Sequence, residues 1–367
     1  MEKISDNRLV SLDALRGFDM LWIAGGETII RSLKDYTDWD WLVWCSIQLD
    51  HVEWNGFHFY DLIFPLFLFL SGVTMPYSLT RQLEKGIPKS DIYKKVIKRA
   101  LLLILFGVIY NGLWDWHISQ IRFASVLGQI GIAYLFGALI FLNTNWKQQI
   151  YWVVGILLGY WAVQVLIPVP GYGAGVLTKE GSINGFIDRL FMPGQLYLGI
   201  HDPEGWLVKI SATATALLGA LTGAFIKNEI LDKKKKALYM FGVSIALLLF
   251  SLLYDLVLPI NKNLWTSSFV IHTAGWSILL LSIFYFVIDV MNFKSWSFFF
   301  VVIGMNSITI YMLRSLVDFN GPMQHIFGGL IAFASAGLQP VIAACLVVLI
   351  EWVLLYFLYK KKIFLKV

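Results

Sequence analysis

The chain has 367 residues, is 58% hydrophobic and only 14% charged, and carries a formal charge of +5. Repeated apolar stretches long enough to cross a bilayer place it among polytopic membrane proteins and exclude a water-soluble domain of ordinary composition. The basic excess gathers at particular loops, which marks membrane orientation and excludes a nucleic-acid footprint.

In chain order, hydropathy predicts helices near 9–30, 59–80, 97–114, 124–142, 150–169, 206–226, 237–258, 266–290, 297–316 and 339–360. These make an all-α, polytopic transmembrane bundle of about ten spans, read as a single domain over 1–367. The first segment contains Asp13, Arg16, Asp19 and Glu27 and no clear small-residue cleavage site. It is expected to stay as a span and not to be removed as a leader. The 81–99 connection, the "DKKKK" turn and the "YKKKIFLK" tail hold the strong basic clusters, with Lys3, Arg8, Lys147 and Lys294 on the same side. Both termini are therefore expected in the cytoplasm. The apolar piece 325–338 is short for a span and is expected to be re-entrant or interfacial on the outer face. The outer loops 31–57, 170–205 and 317–338 would then cap the bundle. Cys45 and Cys345 form no CxxC spacing and no disulfide framework.

Ionisable residues inside apolar segments call for an explanation, because each is costly unless paired or hydrated. Asp13 and Arg16 lie three apart on one helix face, either as a structural ion pair or as a polar wall for a charged substrate. His51, His58 and Asp61 stand where the outer loop meets the second span. Asp61 can orient the His58 ring at i+3, and His51 is within reach if the chain folds back. Histidine is the natural group to take and return a proton near neutral pH, although an outer-loop histidine is more often an interface residue. In "HDPEG", His201, Asp202 and Glu204 suggest a metal, but three such adjacent ligands would be strained; Pro203 favours a turn whose acids cap the helix near Trp206. Asn306 and Ser307 inside the ninth span are helix–helix glue or donors to a ligand. GxGxxG, GxxxxGK[ST] and GxSxG are all missing from the sequence.

Seven segments in order, "RLVSLDALRGFDM" (8–20), "HVEWNGFHFYDLIFPLFLFLSGV" (51–73), "GQIGIAYL" (128–135), "INGFIDRL" (183–190), "HDPEGWL" (201–207), "GMNSITIY" (304–311) and "YKKKIFLKV" (359–367), carry a resemblance. Together they resemble the heparan-alpha-glucosaminide N-acetyltransferase family. The animal members of that family pass acetyl groups from cytoplasmic acetyl-CoA to the amine of terminal glucosamine across a membrane. The resemblance implies that His51, just before "WNG", is the histidine of acetyl transfer, with Asn55 and Asp61 in the same block.

It also implies that Asp13 and Arg16, in the "D-x-x-RG" block, serve the acetyl-CoA side. Arg81, Lys98 or Arg99 would add charge there, and Asn306 would donate to the thioester or the sugar. Acetyl-CoA enters as co-substrate and no metal is expected. Expected partners are an amino sugar or glycan acceptor, the lipid bilayer and, by the resemblance, a second copy of the chain; no nucleic acid is expected. The chain starts directly at "RLVSLDALRG" and its loops are trimmed, so the expectation is a bacterial-type inner-membrane enzyme acting on a smaller amino sugar or an envelope glycan. The rival readings are an O-acyltransferase of envelope glycans, a transporter of amino sugars or organic anions, and a silent relative of the family.

Overall fold

The computed structural model describes residues 9–37, 39–113 and 121–365. Helices α1 (Val10–Leu21), α2 (Glu27–Thr37) and α3 (Asp40–Gln48) come first, with a π-helical turn, Trp22–Gly26, joining the first two. A 3-10 turn at Phe59–Leu62 leads into α4 (Ile63–Val73) and α5 (Met75–Glu84), followed by α6 (Lys89–Tyr110), α7 (Val126–Asn143) and α8 (Trp146–Leu166). Then come α9 (Ile183–Phe191), α10 (Val208–Lys227), α11 (Lys233–Asp255) and α12 (Ser267–Tyr285). The chain closes with α13 (Phe298–Met305), α14 (Ser307–Leu316), α15 (Asn320–Ile331) and α16 (Gln339–Lys360). Extended structure among the described residues is limited to the isolated bridges Arg122–Gly194 and Val169–Gly173.

The fold is all-α, and seven stretches of the described residues are long and apolar enough to cross a membrane. They are Phe59–Glu84, Val126–Asn143, Trp146–Leu166, Val208–Lys227, Lys233–Asp255, Ser267–Val290 and Gln339–Lys360; the pair Ser295–Met305 and Ser307–Leu316, bent by 59°, makes an eighth if it is one span. The first expected span is interrupted at the π turn, where Gly25 takes φ 99°, a left-handed value that glycine adopts without strain. The third, α6, opens on Lys89, Lys94, Lys95, Lys98 and Arg99, so only its later turns are apolar. The piece expected to be interfacial falls partly on α15, whose 12 residues make only about 18 Å of helix, short of a bilayer core.

The described residues divide into two compact units. One holds the chain up to His51, His58–Ile63 and the chain from Leu280 onward; the other holds Val52–Phe57 and Phe64–Leu279.

In the first unit α1 lies against α13 at a glycine contact. A Cβ on Gly17 would stand 1.8 Å from the Phe300 carbonyl oxygen, and one on Gly304 would stand 1.9 Å from that of Asp13. Small residues let the two backbones touch, as in other membrane helix pairs. Phe18 packs its ring among Trp22, Phe59, Phe284 and Phe300, fixing the later half of α1. The π turn releases the Ile23 carbonyl from its helix ladder, and Arg314 Nη1 takes it up at 2.7 Å. A separate cluster of Phe319, Met323, Ile331 and Val347 packs α15 onto α16.

In the second unit α10 is built from "SATATALLGALTGAF", whose small buried residues let α7 and α8 approach closely, while its glycines face α4: a Cβ on Gly219 would stand 2.1 Å from the Phe69 carbonyl oxygen and one on Gly223 2.2 Å from that of Val73. A buried polar knot fastens α8 and α9 to the loop before α12. Tyr160 Oη donates to the Leu264 carbonyl at 2.8 Å, Asn184 Nδ2 donates to Tyr160 Oη at 2.6 Å, and Gln164 Nε2 donates to both Asn184 Oδ1 and the Leu264 carbonyl. Each of these three buried side chains therefore has a partner, as burial demands.

Candidate active site

The join of the loop after α3 and the 3-10 turn that leads into α4 is built around one carboxylate. Asp61 sits in the 3-10 turn, 2% exposed, with its Oδ1 2.7 Å from His51 Nδ1. Its Oδ2 accepts the His58 backbone N–H at 3.1 Å, which closes the turn. The His58 ring goes elsewhere, placing Nδ1 3.0 Å from the Asp50 carbonyl. Of the two histidines offered by the sequence, the carboxylate thus orients His51, and His58 serves the local backbone.

Because a carboxylate accepts, His51 Nδ1 is the donor of this contact, which in the neutral ring leaves the lone pair on Nε2. The His51 side chain is half exposed, so a reactant can reach it.

A second layer holds this pair in place. Arg31 Nη2 donates to the Leu49 carbonyl at 2.9 Å and pairs with Asp50 Oδ1 at 2.8 Å and Glu27 Oε2 at 3.4 Å. That clamp positions the backbone just before His51. Tyr60 packs against the His51 ring with centroids 4.9 Å apart, and its hydroxyl lies within electrostatic reach of Glu27. Gln48 Oε1 receives the Phe59 N–H at 3.1 Å, tying α3 to the 3-10 turn. Sequence reasoning missed the roles of Arg31 and Tyr60 and saw Glu27 only as an acid of the first apolar segment. The one signal available was Glu27 and Arg31 at i and i+4, a pattern common on any helix.

Deeper in the same unit, Arg16 Nη1 lies 3.8 Å from Asp13 Oδ1, so the pair expected from their spacing is made. Asn306 stands at the break between α13 and α14 with φ −123° and ψ 28°. Both its amide atoms are buried and hydrogen-bond to no other described residue. Arg314, which braces the π turn, also approaches Glu351 Oε1 at 3.5 Å.

The remaining candidates belong to the second unit. Asn55 Oδ1 accepts from Asn261 Nδ2 at 2.9 Å, and the neighbouring Gly56 N–H donates to the Ile260 carbonyl at 2.8 Å. Arg99 stacks its guanidinium 4.1 Å over the Tyr134 ring, and Arg81 is exposed in the last turn of α5.

The "HDPEG" segment forms a different structure from the expected helix cap. Arg122 reaches across to it, donating to Asp202 Oδ2 and Oδ1 at 2.8 and 2.6 Å and to Glu204 Oε2. The N-terminal end of α10 is instead served by Asp188, whose Oδ1 accepts the Trp206 N–H at 2.9 Å. Burial pushes the Asp202 carboxyl up, but the Arg122 hydrogen bonds outweigh it and hold the group below the usual carboxylate range. For Glu204 burial wins over Arg122 and the carboxyl is pushed up. Burial also drives Asp188 up to about 6 and lowers His201, whose Nε2 meets the Asn263 carbonyl at 2.8 Å. Among the described residues no group of three or more histidine, cysteine or acidic side chains is arranged to hold a metal ion.

Residues 8–181, which contain the His51–Asp61 pair and the Asp13–Arg16 pair, match the family model described as "Heparan-alpha-glucosaminide N-acetyltransferase, catalytic". Two curated proteins of that name extend the likeness over most of the chain. The mouse (Mus musculus) protein is 30% identical over 379 residues, covering 86% of this chain and 56% of its own length. The chain belongs to the heparan-alpha-glucosaminide N-acetyltransferase family. The human (Homo sapiens) protein of the same name is 28% identical over 378 residues, again covering 86% of this chain, with 55% of its own length. This family member therefore spans about 56% of the length of the curated relatives it matches.

Proposed function

We propose that the protein transfers an acetyl group from cytoplasmic acetyl-CoA to the amine of a glucosamine-type sugar on the outer side of the membrane. The observation that carries this reading is a half-exposed His51 ring oriented by the buried Asp61 carboxylate, in a chain whose family is named for that transfer. The chain acts as one domain of ten spans with both termini in the cytoplasm, in a bacterial inner membrane, and works as a homodimer.

In the proposed step the sugar amine attacks the thioester carbonyl carbon as its proton passes to His51 Nε2. The carbon–sulfur bond breaks, and the CoA thiolate leaves to take up a proton. Removing the amine proton as the new bond forms keeps charge from building on nitrogen. Asp61 fixes the ring tautomer and stabilises the imidazolium that forms. Asn55 and Asn306 donate to the sugar or the thioester oxygen. Asn306 fits that role because its buried amide is otherwise left without a partner among the described residues. Arg16, steadied by Asp13, and Arg81 and Arg99 attract the CoA phosphates from the basic cytoplasmic side.

The test is made in proteoliposomes with acetyl-CoA supplied on one face and an amino sugar on the other. N-acetylated sugar on the acceptor side, dependent on the thioester, supports the reading. Transfer to sugar hydroxyls alone would indicate an O-acyltransferase. Sugar flux without acetyl-CoA would indicate a transporter.

A further inference from the structure

A cavity of about 450 Å³ opens between Val52–Asn55 and Thr178–Glu180 in the second unit. Its volume falls within the range of small-molecule pockets, about 300–1,000 Å³. The two walls are fastened together, since Trp54 Nε1 donates to the Leu177 carbonyl at 2.8 Å. Trp54 also packs edge-on against the buried His201 ring, with centroids 5.6 Å apart. Asn55 is held by its oxygen: Asn261, itself fully buried, donates to Asn55 Oδ1 at 2.9 Å, so the Asn55 amide presents its NH₂ as donor. The cavity is thus bounded by an anchored indole, a preset amide, the Thr178 hydroxyl and the carboxylates of Glu53 and Glu180. Lys179 stands 5.5 Å over the Trp54 ring and offsets one of the two acids, leaving the lining one negative charge in excess.

We infer that this cavity is the acceptor subsite, taking a protonated amino sugar whose ring packs on Trp54 and whose ammonium meets Glu53 and Glu180. The inference rests on the acetyltransferase reading and adds to it the residues that select an amine. An aromatic face suits the apolar face of a sugar ring and also attracts a cation. Carboxylates give charge-assisted hydrogen bonds to an ammonium that a neutral hydroxyl or acetamide does not return. The bound ammonium first gives one proton to water; the neutral amine then attacks, its second proton passing to His51, and because acetylation removes the charge the same contacts that favour the substrate release the product. Val52, in the cavity lining, directly follows His51 in the chain.

Binding is measured without acetyl-CoA, on the protein in nanodiscs, by calorimetry with glucosamine, N-acetylglucosamine and glucose. Wild type should bind glucosamine more tightly than the two neutral sugars. The Glu53→Gln/Glu180→Gln double variant should lose about tenfold or more in glucosamine affinity, as expected for loss of a charge-assisted contact. Its neutral-sugar binding should be unchanged. Both acids are exposed, so the amide variants retain the fold. Glucosamine binding no tighter than glucose binding, or unchanged in the double variant, overturns the subsite. Acetyl transfer is assayed on the same preparations and separates the two claims. Glutamate-dependent binding without transfer contradicts the acetyltransferase reading and leaves the subsite standing; transfer indifferent to both glutamates does the reverse.

Discussion

His51 Nδ1 stands 2.7 Å from Asp61 Oδ1, joining a half-exposed imidazole to a carboxylate that is only 2% exposed. The carboxylate also accepts the His58 N–H, so its position is fixed by the turn as well as by the ring. Asp61→Asn keeps the shape but no longer stabilises an imidazolium. It is expected to lower turnover by about 10²–10⁴, the usual range for positioned acid–base catalysis. The acetyl-CoA KM should change little. Steady-state kinetics on the purified variant checks both numbers; a KM effect with unchanged kcat would remove Asp61 from the proton path.

Arg16 offers a complementary test on the donor side. Arg16→Gln removes the charge that Asp13 steadies at 3.8 Å. The expected outcome is a higher KM for acetyl-CoA with the acceptor KM unchanged. Dephospho-CoA thioesters, which lack one phosphate, should show a smaller difference between wild type and variant.

The glycine contact between α1 and α13 predicts a stability difference. Gly17→Ala places a methyl where the Phe300 carbonyl oxygen is 1.8 Å away, against backbone that cannot turn aside. A shift of the whole helix is required, with loss of about 1–3 kcal/mol or more. Gly155 and Gly159 in α8 have nothing within 4 Å of an added Cβ. Alanine there should be neutral or should stabilise by up to about 1 kcal/mol, the helix-propensity gain. Thermal denaturation in detergent, followed by size-exclusion chromatography, compares the two sets.

Arg122 holds two buried acids, Asp202 at 0% and Glu204 at 7% side-chain exposure. Arg122→Ala leaves both without their cation and should destabilise the 170–205 segment by about 3–5 kcal/mol, as for other broken buried pairs. Limited proteolysis between residues 170 and 205 should accelerate. An unchanged cleavage rate would show that the network does not hold the loop.

Asp188 supplies a pH dependence with a definite sign. Its carboxyl is raised by burial from 3.8 to about 6, so the folded state holds a proton that the unfolded chain releases. The associated stabilisation is complete below about pH 4 and lost as pH rises through about 6, on the order of 2–3 kcal/mol. Asp188→Asn should flatten that part of the stability profile. Asp202 acts in the opposite sense, because its carboxyl is lowered and its contribution is lost as pH falls through its folded value. Melting temperatures from about pH 4 to 8 for wild type and the D188N variant resolve the Asp188 part.

Much of this was legible in the sequence because hydropathy reports burial in lipid directly. The helical class and most of the long apolar helices were readable, as was the Asp13–Arg16 pair from its spacing of three. The breaks were harder to read. Asn306 looked like one polar residue within a span, yet it marks a 59° bend, and a hydropathy average over some 19 residues does not register one such position. The Gly25 break likewise depends on a local φ value and on Arg314, far along the chain.

The catalytic candidate was half legible. Helix spacing linked Asp61 to His58, but the loop folds so that the carboxylate meets His51, ten residues earlier, and turns His58 toward Asp50. Asp202 and Glu204 suggested a local cap because their partner, Arg122, is some 80 residues away. The available clue was Arg122 itself, the one lysine or arginine in residues 111–125, which hydropathy assigns to an expected outer loop. A cation in a loop expected on that face departs from the charge rule.

The most direct test of the central claim is CoA thiol release by the purified protein in nanodiscs, with acetyl-CoA and glucosamine, for wild type and His51→Ala. Because His51 is half exposed, its truncation should leave the fold intact, as size-exclusion chromatography would confirm. The account predicts acceptor-dependent thiol release in wild type and its loss in H51A. Equal release by both proteins would remove His51 from the chemistry, and no release by folded wild type with any amino sugar would contradict acetyl transfer itself.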